Sequence, residues 1–157
     1  TLTEDLDLRG SGHLFWAPDA DGDTTLFFAY AGPKVGLNDW YSVAPQVGAV
    51  VNWTGEGDAM PILAVWNWFT FHHIHLFLEL EVYTDFANHT YFGFYSVDYD
   101  AVPLVWLGVH GEQVNANFNV GPHIGIPLGE AVWLQVNYHR GLNDGSNAIR
   151  LNLNTSL

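Results

Sequence analysis

Residues 114–128, VNANFNVGPHIGIPL, alternate between two kinds of side chain at almost every step. One parity is apolar and includes Phe118 and Val120, whereas the other carries small or polar residues such as Asn119 and His123. Because successive side chains of a strand point to opposite faces, this pattern predicts a β-strand with one apolar and one polar face. The run is much longer than the usual strand of about five or six residues in globular sheets.

The same alternation recurs along the chain, and turn-forming residues separate the runs. We predict a single β domain over 1–157, with an irregular segment at 1–11 and about eight to ten strands. Turns are expected at 98–100 and near 111–113, where Asp or Gly interrupts the pattern, and near 71–73. The predicted strands cover residues 12–18, 24–36, 40–53, 59–71, 73–83, 90–99, 102–110, 113–128, 131–140 and 147–157.

Composition narrows the function classes. Of 157 residues, 48% are hydrophobic and only 13% are charged, and 17 acidic against 4 basic residues give a formal net charge of −13. So few cations exclude binding to nucleic-acid phosphates or to anionic lipid headgroups by a basic patch. Cysteine is absent, so disulfides and thiolate metal sites are excluded. The acidic loops either keep the protein soluble or indicate cation-rich surroundings.

Alternation alone leaves open which face of the sheet meets water. Three features favour an apolar face turned towards lipid and a polar face turned inward. The polar parity is rich in Asn, Gly, His, Gln and Ser but almost free of Lys, unlike a typical water-exposed surface. The strands are long enough to cross a bilayer, and most acids lie between them. Aromatic residues lie near the predicted strand ends, as a membrane-interface girdle requires: Trp40, Tyr41, Trp53, Tyr83, Tyr91, Tyr99 and Tyr138.

With these features, residues 24–157 resemble the class of small bacterial outer-membrane β-barrels. The resemblance rests on Val114–Leu128, on the loop Gly141–Ser146 and on the final alternating strand, Ala148–Leu157. It implies a single up-and-down antiparallel barrel of transmembrane type, located in the bacterial outer membrane with the lipid bilayer as its partner. A porin-like narrow channel, a scaffold, or binding of ions or glycans by the loops are the functions it suggests. The oligomeric state stays open.

A secreted or periplasmic soluble protein is the alternative interpretation. Six prolines fall in or beside the predicted strands, and proline belongs at sheet edges and bulges because it removes a hydrogen-bond donor. A soluble β-barrel or β-sandwich that binds a small molecule or carbohydrate would accommodate them more easily. These prolines are Pro33, Pro45, Pro61, Pro103, Pro122 and Pro127.

An acidic turn offers one candidate metal site. Asp19, Asp21 and Asp23 alternate beside Gly22, and such loops supply several of the oxygen ligands that Ca²⁺ prefers. An EF-hand is not matched, because a predicted strand follows the turn and no Glu occupies the twelfth position. The two interpretations are a bound calcium ion and an ordinary acidic turn.

Histidine and glutamate residues dominate the polar parity of several strands. They suggest a hydrogen-bonded network in the interior, in which Arg150 neutralises buried carboxylates. His73 and His75 share a parity and could together hold zinc if further ligands were near. A His beside a Glu could also act as a general base, which leaves an enzyme as the least favoured hypothesis, since no nucleophile motif is present. The predicted network comprises His73, His75, Glu79, Glu81, His110, Glu112, His123, His139 and Arg150.

Overall fold

The computed structural model describes residues 6–19, 22–52, 59–85, 88–102, 105–129 and 132–156. Its regular elements are ten β-strands. Over these ranges, no helix is long and apolar enough to cross a membrane. The strands are β1 (Leu6–Asp19), β2 (Gly22–Asn38), β3 (Tyr41–Asn52), β4 (Ala59–Phe71), β5 (Ile74–Asp85), β6 (Asn88–Val102), β7 (Val105–Val114), β8 (Asn117–Pro127), β9 (Val132–Gly141) and β10 (Asn147–Ser156).

Each strand pairs antiparallel with the strands before and after it in sequence. The prediction of an all-β antiparallel sheet is therefore confirmed. The β1–β2 ladder has 14 residue pairs, from Leu6↔Val35 to Asp19↔Gly22. The strand order returns to its start through three pairs between β1 and β10, of which Gly12↔Thr155 is the central one.

Three local predictions were wrong. β1 begins at Leu6, so much of the segment expected to be irregular is strand. β6 continues to Val102, so the predicted turn at 98–100 is part of a strand. The turn expected at 111–113 lies instead at residues 115–116, where Asn115 adopts a φ of 51°. Asn tolerates this left-handed conformation better than most residues, which explains why the chain reverses there.

The turn predicted near 71–73 is confirmed, and it consists of His72 and His73. His72 has a φ of 55°, and the His73 carbonyl accepts a hydrogen bond of 3.0 Å from the Asp100 N–H. Strand β5 therefore starts one residue later than predicted. His73 consequently belongs to the turn and not to the alternating pattern of the strand.

The exposure of the two faces of the sheet is the reverse of that in a water-soluble sheet. Among the described side chains, eight buried residues are polar or charged and six are hydrophobic. The apolar face is exposed: Val47 retains 62% of its accessible surface, Leu151 66% and Ile149 73%. Phe118, an apolar residue of the opening stretch, is only half-buried. We call these two surfaces the polar face, which is buried, and the apolar face, which is exposed.

Prolines coincide with interruptions of the strand ladders. The register between β2 and β3 has no pairs from residue 32 to residue 34, where Pro33 lies opposite the Pro45 region. The register between β8 and β9 likewise skips Pro122 and its neighbour Gly121. Since proline supplies no N–H, the sheet accommodates these residues as local gaps in pairing within long strands.

Candidate functional site

The polar face lines a cavity of about 730 Å³. Residues of β2 to β7, β9 and β10 line it, so its wall is built from strands far apart in sequence. Along β4 the lining runs from Met60 to Thr70, which is almost the whole strand. The cavity therefore extends through most of the height of the sheet.

Carboxylates and aromatic rings dominate one side of the cavity. Glu79 and Glu81 follow each other on the polar face of β5, and both line the cavity. Glu81 retains only 2% of its accessible surface, and its Oε2 accepts a hydrogen bond of 2.6 Å from the Tyr83 hydroxyl. No N–H or O–H donor of the described residues reaches its other oxygen, Oε1. Glu79 lies next to Glu81 on this face and pairs with Trp66 in the β4–β5 ladder.

The rings around these carboxylates form a continuous cluster. Trp66 lies at the centre, 5.1 Å from the Tyr30 ring, 6.1 Å from Trp68 and 6.3 Å from Phe77, each between ring centroids. Most of these pairs are tilted or edge-to-face, the arrangement that aromatic rings favour. The cluster also contains Phe28, Tyr83, Phe92 and Phe94.

A chain of hydrogen-bonding groups crosses the other side of the polar face. The His110 Nδ1 lies 3.2 Å from the His123 Nδ1, and the His110 Nε2 lies 3.3 Å from the His139 Nδ1. The His123 Nε2 bonds to Asp98, whose other oxygen accepts a 2.7 Å bond from the Ser96 hydroxyl. The chain thus runs across β6, β7, β8 and β9. We call these five residues the histidine relay.

A glycine makes the closest contact of the relay possible. Gly108 pairs with Asp98 on one side and with His123 on the other, so the two side chains meet above it. A Cβ at Gly108 would lie 2.5 Å from the His123 Nε2 and 2.6 Å from the Asp98 Oδ1. Any other residue at this position would therefore separate the carboxylate from the imidazole.

An ion pair lies close to the relay. The Arg150 guanidinium donates to the Glu112 carboxylate, which is 5% exposed, and the arginine itself is 30% exposed. Both residues line the cavity together with His139. The guanidinium is thus placed where it offsets the charge of a buried carboxylate.

The structure brings together most of the predicted network. Glu79, Glu81, His110, Glu112, His123, His139 and Arg150 all lie on the polar face, in two groups around one cavity. His75 lies at its rim, where its Nε2 is 2.8 Å from the Asp100 carboxylate. His73 is separate: it is exposed in the β4–β5 turn, with its ring 6.3 Å from that of Tyr99.

The geometry does not support the shared zinc site. His73 and His75 are not on one face, because the turn ends between them. Within the part of the chain that the structure describes, no three His, Asp or Glu side chains are placed to hold one metal ion. His110 contacts the other two histidines through different ring nitrogens, so the three rings do not converge on one point.

The calcium hypothesis lies outside what the structure describes. Asp21 is not described, and only the backbones of Asp19 and Asp23 are, at the facing ends of β1 and β2. The calcium site therefore remains a prediction.

The relay does not have the order of a catalytic triad. Ser96 donates to Asp98, and Asp98 bonds to His123, so the hydroxyl contacts the carboxylate instead of an imidazole that could deprotonate it. Chemically, the arrangement can pass or share protons between imidazoles and can hold cations near carboxylates. The His139 Nε2 is buried, lies at the cavity, and has no hydrogen-bond partner among the described residues.

Sequence reasoning missed several residues of this site. Asp98 and Ser96 were overlooked because Asp98 was assigned to a turn. The polar parity of His110 and Glu112 on the next strand could have suggested that polar residues of the preceding strand face them. The buried Gln46 and Asn137 carry the expected parity but stand alone among apolar or neutral neighbours in sequence. A comparison with known protein families and with characterised proteins found no match to this chain.

Proposed function

We propose that this chain forms a membrane-spanning β-barrel of the bacterial outer-membrane type, with its polar interior acting as a narrow, cation-preferring channel. The observation that carries the proposal is the inverted sheet, which exposes its apolar face and buries its polar one. In water, an apolar surface of this extent would drive aggregation, whereas contact with the hydrocarbon of a bilayer would stabilise it. The pairing of β1 with β10 supports a closed wall without free edges.

The height of the apolar face matches a bilayer. On β4 the exposed parity runs from Pro61 to Phe71, which is ten residue steps, or about 33 Å along the strand at about 3.3 Å per residue. With the usual tilt of about 40°, this corresponds to a height of about 25 Å, close to the apolar band of outer-membrane barrels.

Groups near the strand ends also fit an interface with lipid headgroups. Among the aromatic residues predicted to form a girdle, four are 40–57% exposed: Trp40, Tyr91, Tyr99 and Tyr138. Tyr83 is an exception, because it packs on the polar face, and Trp53 lies outside the described residues.

The one polar residue of the apolar parity of β4 has its hydrogen-bonding groups satisfied. The Asn67 carboxamide accepts a bond of 2.9 Å from the Tyr41 hydroxyl and donates one of 3.4 Å to the Leu78 carbonyl. Such pairing is required where no water is available to solvate an amide. It supports burial of this face in lipid.

The dimensions and charges of the cavity support a narrow cation pathway. Spread over about 25 Å of height, a volume of 730 Å³ corresponds to a mean cross-section of about 30 Å², which admits water and small ions but not large solutes. Among the described lining residues, the guanidinium of Arg150 faces three acidic groups that carry charge, namely Asp98, Glu112 and the pair of Glu79 and Glu81, which shares a single negative charge. This excess of negative charge attracts cations.

The test has two steps. Extraction should require detergent, and the folded protein should shift in electrophoretic mobility when it is heated. In planar bilayers under a potassium chloride gradient, the reversal potential should then have the sign of cation selectivity. Removing the charge of the β5 pair, as in Glu79→Gln with Glu81→Gln, should reduce that selectivity, whereas Asp144→Asn in the β9–β10 turn should not. Full solubility without detergent, or an anion-selective conductance, would refute the proposal.

A secreted ligand-binding protein is the second candidate. The cavity volume lies within the range of small-molecule sites, and its lining is largely apolar, with many aromatic rings. This alternative predicts a monodisperse protein in buffer without detergent, so the extraction step separates the two.

A further inference from the structure

We propose that the cavity binds a small organic cation, of the alkylammonium class, between the aromatic cluster and the carboxylates of Glu79 and Glu81. The inference deepens the channel proposal by naming the class of cation that the interior selects. Binding itself requires only the cavity, which also exists when the protein is held in detergent.

Glu79 and Glu81 of β5 lie next to each other on the polar face, and two buried carboxyl groups this close do not both ionise, so the pair supplies one negative charge to the site. The described ion pairs join Arg150 to Glu112 and two histidines to aspartates. Glu81 is nearly inaccessible, and its Oε1 lacks a donor. A buried carboxylate oxygen without a donor is costly, and a bound cation would offset that cost.

The rings give the site its preference for an organic cation over a metal ion. The faces of Trp, Tyr and Phe rings attract ammonium groups within about 6 Å of the ring centroid. Trp66, Tyr30 and Phe77 line the same cavity as Glu79 and Glu81. A bare metal ion would need several oxygen or nitrogen ligands instead, and the described residues offer no such set.

One ammonium group already uses this lining. The Lys34 Nζ lies 4.6 Å from the centroid of the Trp68 ring, and Trp68 belongs to the cavity wall. The contact shows that an alkylammonium fits against one ring of this wall in the folded protein. Trp66 is the neighbouring ring, 6.1 Å from Trp68, and it pairs with Glu79 in the β4–β5 ladder.

The experiment compares two ligands of nearly equal shape and different charge. Choline and its neutral isostere 3,3-dimethylbutan-1-ol are titrated into the protein in detergent, with binding measured by calorimetry and by tryptophan fluorescence. Choline should bind at least tenfold more tightly, because only it carries the charge that the rings and carboxylates recognise. Equal affinity for the two ligands, or no binding of choline at millimolar concentration, would overturn the proposal.

Matched variants locate the site. Glu81→Gln keeps the shape of the side chain and should weaken choline binding at least tenfold while leaving the isostere unaffected. Phe77→Leu should weaken choline binding several-fold through the loss of one ring. Asp144→Asn removes a carboxylate from an exposed turn and should change neither affinity. If Glu81→Gln bound choline as tightly as the unchanged protein, the assignment to this cavity would be wrong.

The outcomes for the channel and for the ligand site are distinguishable. Choline binding by a protein that shows no conductance would support the site and refute the channel. Cation-selective conductance that choline neither blocks nor shares would support the channel and refute the site.

Discussion

A single charge in the middle of the apolar face should destabilise the protein far more than its exposure suggests. Val65 of β4 is 42% exposed and pairs with Pro45 on one side and Leu80 on the other. It lies four residues from Pro61 and six from Phe71, which places it within about 3 Å of the centre of the apolar band at about 3.3 Å per residue.

The magnitude follows from the solvent of that face. Arginine at the bilayer midplane of a barrel costs about 2–4 kcal/mol, so Val65→Arg should lower the folding equilibrium constant by a factor of about 30 to 900. On a water-exposed surface, the same substitution would change the stability by no more than about 0.5 kcal/mol.

Urea titration of the protein folded into phospholipid vesicles, followed by tryptophan fluorescence, measures the difference. Leu142→Arg is the control, since Leu142 is 59% exposed but lies in the β9–β10 turn, where an arginine reaches water. We expect its stability to change by less than about 1 kcal/mol. Equal, small effects of both substitutions would refute the argument that the apolar face contacts lipid.

Three further substitutions or conditions test the interior and one turn. Gly108→Ala should cost about 1–3 kcal/mol in urea unfolding, because its Cβ would collide with the relay, whereas Gly129→Ala, with no atom within 4 Å, should be nearly neutral. Glu112→Gln should cost about 1–3 kcal/mol by leaving the half-buried Arg150 without its carboxylate, and the double variant with Arg150→Gln should recover part of that loss. The Ser146 N–H donates to Asp144 and holds the pKa of that carboxyl below its usual range. The order of this turn should therefore be present above the usual aspartate pKa and lost as the pH falls through the lowered pKa of Asp144. Amide hydrogen exchange in the turn measures this loss. An Asp144→Asn variant whose amide exchange responds to acid in the same way would contradict the prediction.

The parity of the functional residues was predictable because it is a local property of the chain. In an extended strand, alternate side chains share a face whatever the strand pairs with. Glu79 and Glu81 therefore had to share a face, as did His110 and Glu112. His73 was misplaced because the parity rule fails where a turn begins, and residues 72 and 73 form that turn.

The meeting of residues from different strands was not predictable in the same way. Asp98 reaches His123, 25 residues away, only because both residues pair with Gly108, which lies on the strand between them and has no side chain. A shift of one residue in either ladder would turn one of the two side chains to the other face. Since the predicted turns at 98–100 and 111–113 were wrong, the register on both sides of β7 could not be derived from the sequence.

By itself, the sequence determined that the chain is all β, that its strands have two faces, and which residues share a face within one strand, because these follow from the geometry of an extended backbone. Only the tertiary structure decided that the polar face is the buried one, that two glutamates lie among aromatic rings in one cavity, and that three histidines and an aspartate connect across four strands. The physical reason is that alternation carries no information about curvature or register. Both depend on contacts between strands that are distant along the chain.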